Sequence, residues 1–205
     1  MPELPEVQTV IDSIRLDVKG HKIISCELFW RRVIYNISQD NFNENIIDKY
    51  IMDVSRYGKY IIFNLNHGYM LCHLRMTGSL YVNKSEKKQV HDQAIFKLKN
   101  KSIEYLHFKD IRKFGGFYYY NDIDIFKNRI GVDPFDSIFS SGWLFNNLRN
   151  RKRQIKHLLL DQKILCGLGN IYVDEILWKS RIHPAPNNCR IWPPLLIVVV
   201  VIVLF

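Results

Sequence analysis

The sequence predicts an α+β protein: one amphipathic helix at the N-terminus, a series of short antiparallel strands, then a cluster of short helices. Three observations predict it. Apolar residues recur at helical spacing over residues 5–18, six or more β-rich segments follow without an intervening helix, and helical periodicity returns beyond Asp133-Pro134. With 47% apolar and 24% charged residues, the 205-residue chain can build a sizeable core and is too apolar to stay unfolded.

The first helix carries Val7, Val10, Ile11, Ile14 and Val18 on one stripe, and Gly20 is its stop signal. Lys22 to Trp30 reads as a strand. Tyr60 to Leu65 and Tyr69 to Leu74 flank Asn66-His67-Gly68, and Ala94 to Leu98 and Ile103 to Phe108 flank Lys99-Asn100-Lys101-Ser102, both short enough for hairpin turns. Phe117 to Tyr120 is a further strand, and the set suits an antiparallel sandwich or barrel. Trp143 to Arg149, Ile155 to Leu160 and Tyr172 to Trp178 read as short helices, with Gly167-Leu168-Gly169-Asn170 opening the last. The expected organisation is therefore a domain over residues 1–130, a helical module over 131–190 and a tail over 191–205. From Leu195 to Phe205 the tail is wholly apolar, but as a helix it would reach only ~16 Å against a hydrocarbon core of ~30 Å. A membrane span is not expected; a buried strand, a sticky tail or a truncated or frame-altered end is.

Lys and Arg number 29 against 20 Asp and Glu, a formal charge of +9 that points to a polyanion, either nucleic acid or an acidic membrane surface. Cys26, Cys72, Cys166 and Cys189 form no C-x-x-C pair, so no zinc ribbon and no disulfide framework is legible, and reduced cytosolic thiols are expected. The acidic, proline-broken start Met1 to Glu6 does not read as a signal peptide.

Several residues can carry chemistry. Loss of Met1 would expose Pro2 as a secondary amine, nucleophilic near neutral pH and able to form a Schiff base with a sugar aldehyde carbon. Glu3 and Glu6 stand beside it as candidate proton shuttles. Lys59 lies in a glycine turn, where a lysine is usually solvated, and Met76 lies in a loop where an apolar tip could wedge between bases. Asp110 to Gly116 is a basic, aromatic loop able to stack on an unpaired base. Five of the eight residues from Arg149 to Lys156 are basic, and the glycine turn before Asn170 would offer backbone N–H groups to a phosphate.

In order along the chain, Met1 to Thr9, Arg56-Tyr57-Gly58-Lys59, His73 to Leu80, Asp110 to Gly115, and Leu160-Asp161-Gln162 through Gly169-Asn170 to Glu175 closely resemble the formamidopyrimidine-DNA glycosylase (Fpg/Nei) family of base-excision repair enzymes. Leu4 and the Met76 loop are similar to the Fpg branch, and the resemblance spans about residues 1–186. It implies a β-sandwich behind an N-terminal helix, followed by a helix-two-turns-helix module. It implies Pro2 as Schiff-base nucleophile, Glu3 as acid/base, Lys59 as phosphate contact and proton donor, and Glu6 as pocket residue. Met76, Arg112 and Phe114 would fill the void left by a flipped nucleotide, and His91, Arg151 and Asn170 would hold the DNA backbone. The implied partner is double-stranded DNA bearing oxidised bases or abasic sites, handled by a cytoplasmic monomer without metal or other cofactor. The family's C-x-x-C zinc finger has no counterpart here, so a catalytically impaired DNA-binding remnant is the rival expectation.

Overall fold

The computed structural model describes residues 1–184, and the readings made for the tail over 191–205 and for Cys189 lie outside them. The chain forms two compact units: Met1–Pro2 with Glu6–Ile125, and Glu3–Pro5 with the chain from Phe126 onward.

In the first unit, helix α1 (Leu4–Val18) begins one residue before the expected start and buries Val7, Ile11, Ile14 and Val18. Strand β1 (Lys22–Leu28) follows, then helix α2 (Gln39–Ile46), β2 (Ile51–Tyr57), β3 (Tyr60–Leu65), β4 (Tyr69–His73), β5 (Gly78–Asn83), β6 (Asp92–Lys99), β7 (Ile103–Asp110) and β8 (Gly116–Tyr120). They make two four-stranded antiparallel sheets, β1-β6-β7-β5 and β2-β3-β4-β8, so of the two expected architectures the sandwich is the one formed. Its centre is aromatic. Phe96 and Phe108 meet Phe117 edge-on at 4.9 and 5.0 Å, a geometry in which ring quadrupoles attract. Arg15 on α1 grips Asp53 on β2 through two hydrogen bonds of 2.8 and 2.6 Å, and this guanidinium holds the carboxyl well below the usual range.

Two strands and one helix depart from the sequence pattern. Strand β2 buries only Ile51 and Val54, three apart, because a bulge between Ile51 and Asp53 breaks the two-residue alternation. Residues 78–83, which the sequence reading did not assign to a strand, pair with β7 as β5 although Ser79 and Asn83 give them a polar look. Helix α2 is mostly polar. Its capping Ser38 accepts from Asn41 N–H, and only Phe42 and Ile46 enter the core.

Helix α3 (Ile123–Lys127) precedes the second unit, whose helices are α4 (Ser141–Leu148), α5 (Ile155–Leu159) and α6 (Asn170–Lys179). Their core is aliphatic: Leu144, Leu148, Leu158, Leu159, Val173 and Ile176 pack together with Leu4. Helix α6 starts two residues before the expected Tyr172.

One buried group makes the fold pH-sensitive. His73, at the end of β4, is 6% exposed, meets Tyr60 edge-on at 4.5 Å and accepts the Arg75 N–H at Nδ1. Burial first, then the charges of Arg75 and Lys59, push its imidazole down to about 3. The unfolded chain, with an ordinary histidine near 6.5, takes up a proton that the folded state refuses, so stability is lost as pH falls through this window. Moving from pH 7 to 5 is expected to cost about 2 kcal/mol through this group. Urea titrations of the wild type and of His73→Gln check it: the variant's stability should fall less steeply with acid, and equal slopes would contradict the assignment.

Candidate active site

The site begins with the second and third residues. Glu3 is 4% exposed, and its carboxylate accepts the backbone N–H groups of Gly169 at 2.7 Å, Ile171 at 3.0 Å and Tyr172 at 3.3 Å. Gly169 precedes α6 and has no side chain to cap it, so Glu3 supplies the cap from the other end of the sequence. A Cβ at Gly169 would collide with that carboxylate, which is why glycine stands there. Leu4 N–H also donates to Gly167 C=O at 3.1 Å. The expectation that this glycine turn offers its N–H groups to a phosphate is therefore corrected. The Gly169 N–H of that turn, with those of Ile171 and Tyr172 in the first turn of α6, already holds an anion, the protein's own.

Pro2 is half-buried and directly precedes this fixed carboxylate, while Glu6 is exposed in the first turn of α1. Lys59 occupies a two-residue hairpin closed by the Tyr57–Tyr60 pair, with Gly58 at φ +58° supplying the left-handed corner. The ordinary expectation for a turn lysine is solvation, yet Lys59 is only 4% exposed. Arg56 Nη1 donates to Gly58 C=O at 3.0 Å and steadies that turn.

Met76, Arg112 and Phe114 converge. Arg112 Nη1 lies 2.9 Å from Met76 Sδ, and its guanidinium stacks 4.9 Å from the Phe114 ring centre. Met76 and Phe114 are about half exposed, an unusual state for large apolar side chains at loop tips. The three line a cleft of about 710 Å³ together with Met1, Trp30, Arg32, Tyr35, Arg75 and Lys113. No carboxylate stands among those lining residues, so the cleft is cationic. Trp30, Arg32, Arg75 and Lys113 escaped the sequence reading. The signal for them was the Trp30-Arg31-Arg32 triplet and the Lys113 beside Arg112, whose ammonium sits 4.6 Å from the Trp30 ring centre.

His91 is exposed with φ +71°, and its carbonyl accepts from Asp110 N–H and Gln93 Nε2, both at 3.0 Å. The segment before it is anchored by a fully buried pair: His107 Nδ1 lies 2.9 Å from Asp92, and Nε2 lies 3.0 Å from Ser85 C=O. Arg151 and Asn170 belong to the second unit, and both are exposed. Arg151 Nε donates to Asn147 C=O at 2.8 Å, and Asn170 is the first residue of α6. The basic run is partly neutralised within the protein, since Arg153 pairs with Asp161 at 2.8 Å and Lys156 with Asp174 at 2.6 Å.

Among the described residues, no group of three or more His, Cys, Asp or Glu could hold a metal ion. Burial pushes the Cys26 and Cys72 thiols upward, away from the thiolate form that metals bind. No described helix is long and apolar enough to cross a membrane.

Known proteins share this chain's sequence pattern and fold. The family model for the formamidopyrimidine-DNA glycosylase N-terminal domain matches residues 1–117, and that for the formamidopyrimidine-DNA glycosylase H2TH domain matches residues 130–192. A formamidopyrimidine-DNA glycosylase of Pelotomaculum thermopropionicum is 42% identical over 190 residues, covering 90% of this chain and 68% of its own. One of Protochlamydia amoebophila is 38% identical over 187 residues, covering 90% and 67%. Lactococcus lactis Fpg in complex with DNA containing an abasic site superposes with a TM-score of 0.88 at 32% identity, over 98% of this chain and 76% of its own. An inhibited LlFpg with DNA containing N7-benzyl-Fapy-dG gives 0.89 at 32% identity, over 99% and 78%. With both of its domain models matched in order, and relatives aligned along nine-tenths of its length, the chain belongs to the formamidopyrimidine-DNA glycosylase family.

Proposed function

We propose that the chain is a bifunctional DNA glycosylase and abasic-site lyase of base-excision repair, acting on oxidised purines such as 8-oxoguanine and formamidopyrimidines through Pro2. One observation carries the reading: Met1, directly before Pro2, lines the same cationic cleft as Met76, Arg112 and Phe114. A nucleotide flipped out of a duplex leaves a gap, and an apolar tip, a cation and an aromatic ring on one rim suit that gap. The solved Lactococcus lactis relatives, bound to DNA containing an abasic site or N7-benzyl-Fapy-dG, support the same substrate class.

The chemistry uses the chain's own groups. The Pro2 amine attacks C1′, the C1′–N bond breaks, and the base leaves with a proton. The proline nitrogen gives up its proton, and the C1′–O4′ bond opens with O4′ taking a proton. The resulting iminium acidifies the C2′ hydrogen; its loss expels the 3′ phosphate oxygen and nicks the strand. Glu3, fixed by three N–H donors, moves protons at the sugar, and Lys59 serves the phosphate and the departing oxygen. Glu6 borders the base pocket. His91, Arg151 and Asn170 bind the backbone, and Arg112 faces the orphaned base. No step calls on a metal or organic cofactor, and the DNA substrate puts the working enzyme in the cytoplasm, at the nucleoid.

Borohydride should trap the wild-type chain covalently on a duplex with an abasic site, and a retained N-terminal tag that blocks Pro2 should abolish trapping. Undiminished trapping with the tag in place would sink the Pro2 assignment. Gly169→Ala touches no DNA in this scheme, yet it displaces the Glu3 carboxylate. Base excision should fall tenfold or more with a loss of several degrees in melting temperature; unchanged excision would show that the Glu3 position is unimportant. For Arg151→Ala, the slope of log affinity against log salt should flatten by about one unit, and an unaltered slope would remove that residue from the phosphate set.

A further inference from the structure

The scheme above gives the buried acid Asp110 no task. Asp110 closes β7, is 0% exposed, and its carboxylate faces donors on both oxygens. Oδ1 accepts the Thr77 hydroxyl and the Arg112 N–H (3.2 Å); Oδ2 accepts the N–H groups of Phe114 (2.8 Å) and Gly115 (2.7 Å). The Thr77 oxygen also accepts from Arg112 N–H at 3.1 Å. At the backbone, Asp110 N–H donates to His91 C=O, and Gln93 Nε2 bridges the carbonyls of Asp110 and His91, each at 3.0 Å. A single residue thus ties together the neighbour of Met76, the segment from Arg112 to Phe114, and His91.

The tie also holds a strained turn. Lys113 sits at φ +57°, a conformation that costs energy for a residue with a side chain unless its surroundings enforce it. The Asp110 bonds on either side of Lys113, together with the stacking of its ammonium on Trp30, do so.

We propose that Asp110, with Thr77 as its partner, is a positioning residue that presets Met76, Arg112 and Phe114 as one rigid wedge before DNA arrives. The inference rests on the wedge role given to that trio under the proposed function. Opening a base stack is costly, and a wedge that had to order itself at the same moment would add the entropy of two loops to that cost. A prearranged wedge avoids it. Asparagine cannot substitute fully, because its amide would aim a donor at a ring of donors.

The test separates lesion capture from bond chemistry. Asp110→Asn and Thr77→Val are compared with wild type on a duplex lesion substrate, and by borohydride trapping on an abasic site in single-stranded DNA, which presents no stack to open. On the duplex, kcat/KM should fall tenfold or more for Asp110→Asn and about threefold for Thr77→Val, mainly through KM, while single-strand trapping stays within twofold. Unchanged duplex kinetics, or a parallel fall on single strands, would overturn the proposal. If Asp110→Asn fails to fold, the milder Thr77→Val decides. A wild-type chain that traps on neither DNA would count against the Pro2 reading instead. The wedge would then be read from the preference of wild type over Thr77→Val for lesion duplex against undamaged duplex, and an equal preference would overturn it.

Discussion

The carboxylate of Glu3 on the opening turn of α6 is the contact on which the geometry of the proposed chemistry depends. A helix N-terminus carries unpaired N–H groups and the positive end of the helix dipole, and here the anion that satisfies both is the third residue of the chain. Such a cap is worth ~1 kcal/mol or more in stability. Its greater consequence is positional. With Glu3 bound on three N–H groups and Leu4 on Gly167 C=O, the residue before them has little freedom left, although chain ends are ordinarily loose. The same bonds fix the orientation of the carboxylate. Under the proposed function, stability and catalysis draw on one interaction.

The cleft applies the same economy to charge. Arg32, Arg75, Arg112 and Lys113 gather without a carboxylate among the lining residues, whereas Arg15, Lys22, Arg153 and Lys156 elsewhere are matched by Asp53, Asp48, Asp161 and Asp174. The cleft cations thus lack the carboxylate partners that those four have, and the proposed function lays the DNA along this cleft. Aromatic rings beneath the cations, Trp30 under Lys113 and Phe114 under Arg112, hold them extended without neutralising them.

Much of this was legible in the sequence, and what was not has physical causes. The stripe Val7, Ile11, Ile14, Val18 announced α1 because a helix must bury one face, and the hairpin linkers announced their strands because few residues can turn so tightly. Strand β2 was hidden by its bulge, and β5 by its polar residues, because pairing with β7 needs backbone rather than side chains. Of the candidate site, the motifs named candidates but not their surroundings. The anion for the Gly167 to Asn170 turn was expected from outside, and nothing local in the sequence marks Glu3, 166 residues before Gly169, as its partner. Lys59 was expected in solvent because turn lysines usually are, and only the fold around the hairpin shows it buried. Asp110 was passed over within a basic loop, since one carboxylate among cations reads as ordinary charge balance until its four donors are seen.

Amide hydrogen exchange, compared between wild type and Glu3→Ala, tests the central contact most directly. The expected result is that the amides of Gly169, Ile171 and Tyr172 are protected in the wild type and exchange at least tenfold faster in the variant, while the β8 amides of residues 116–120 keep their rates. Equal exchange at those three amides in both proteins would show that the carboxylate does not hold the helix, and with it would go the explanation of how the start of the chain is fixed for chemistry.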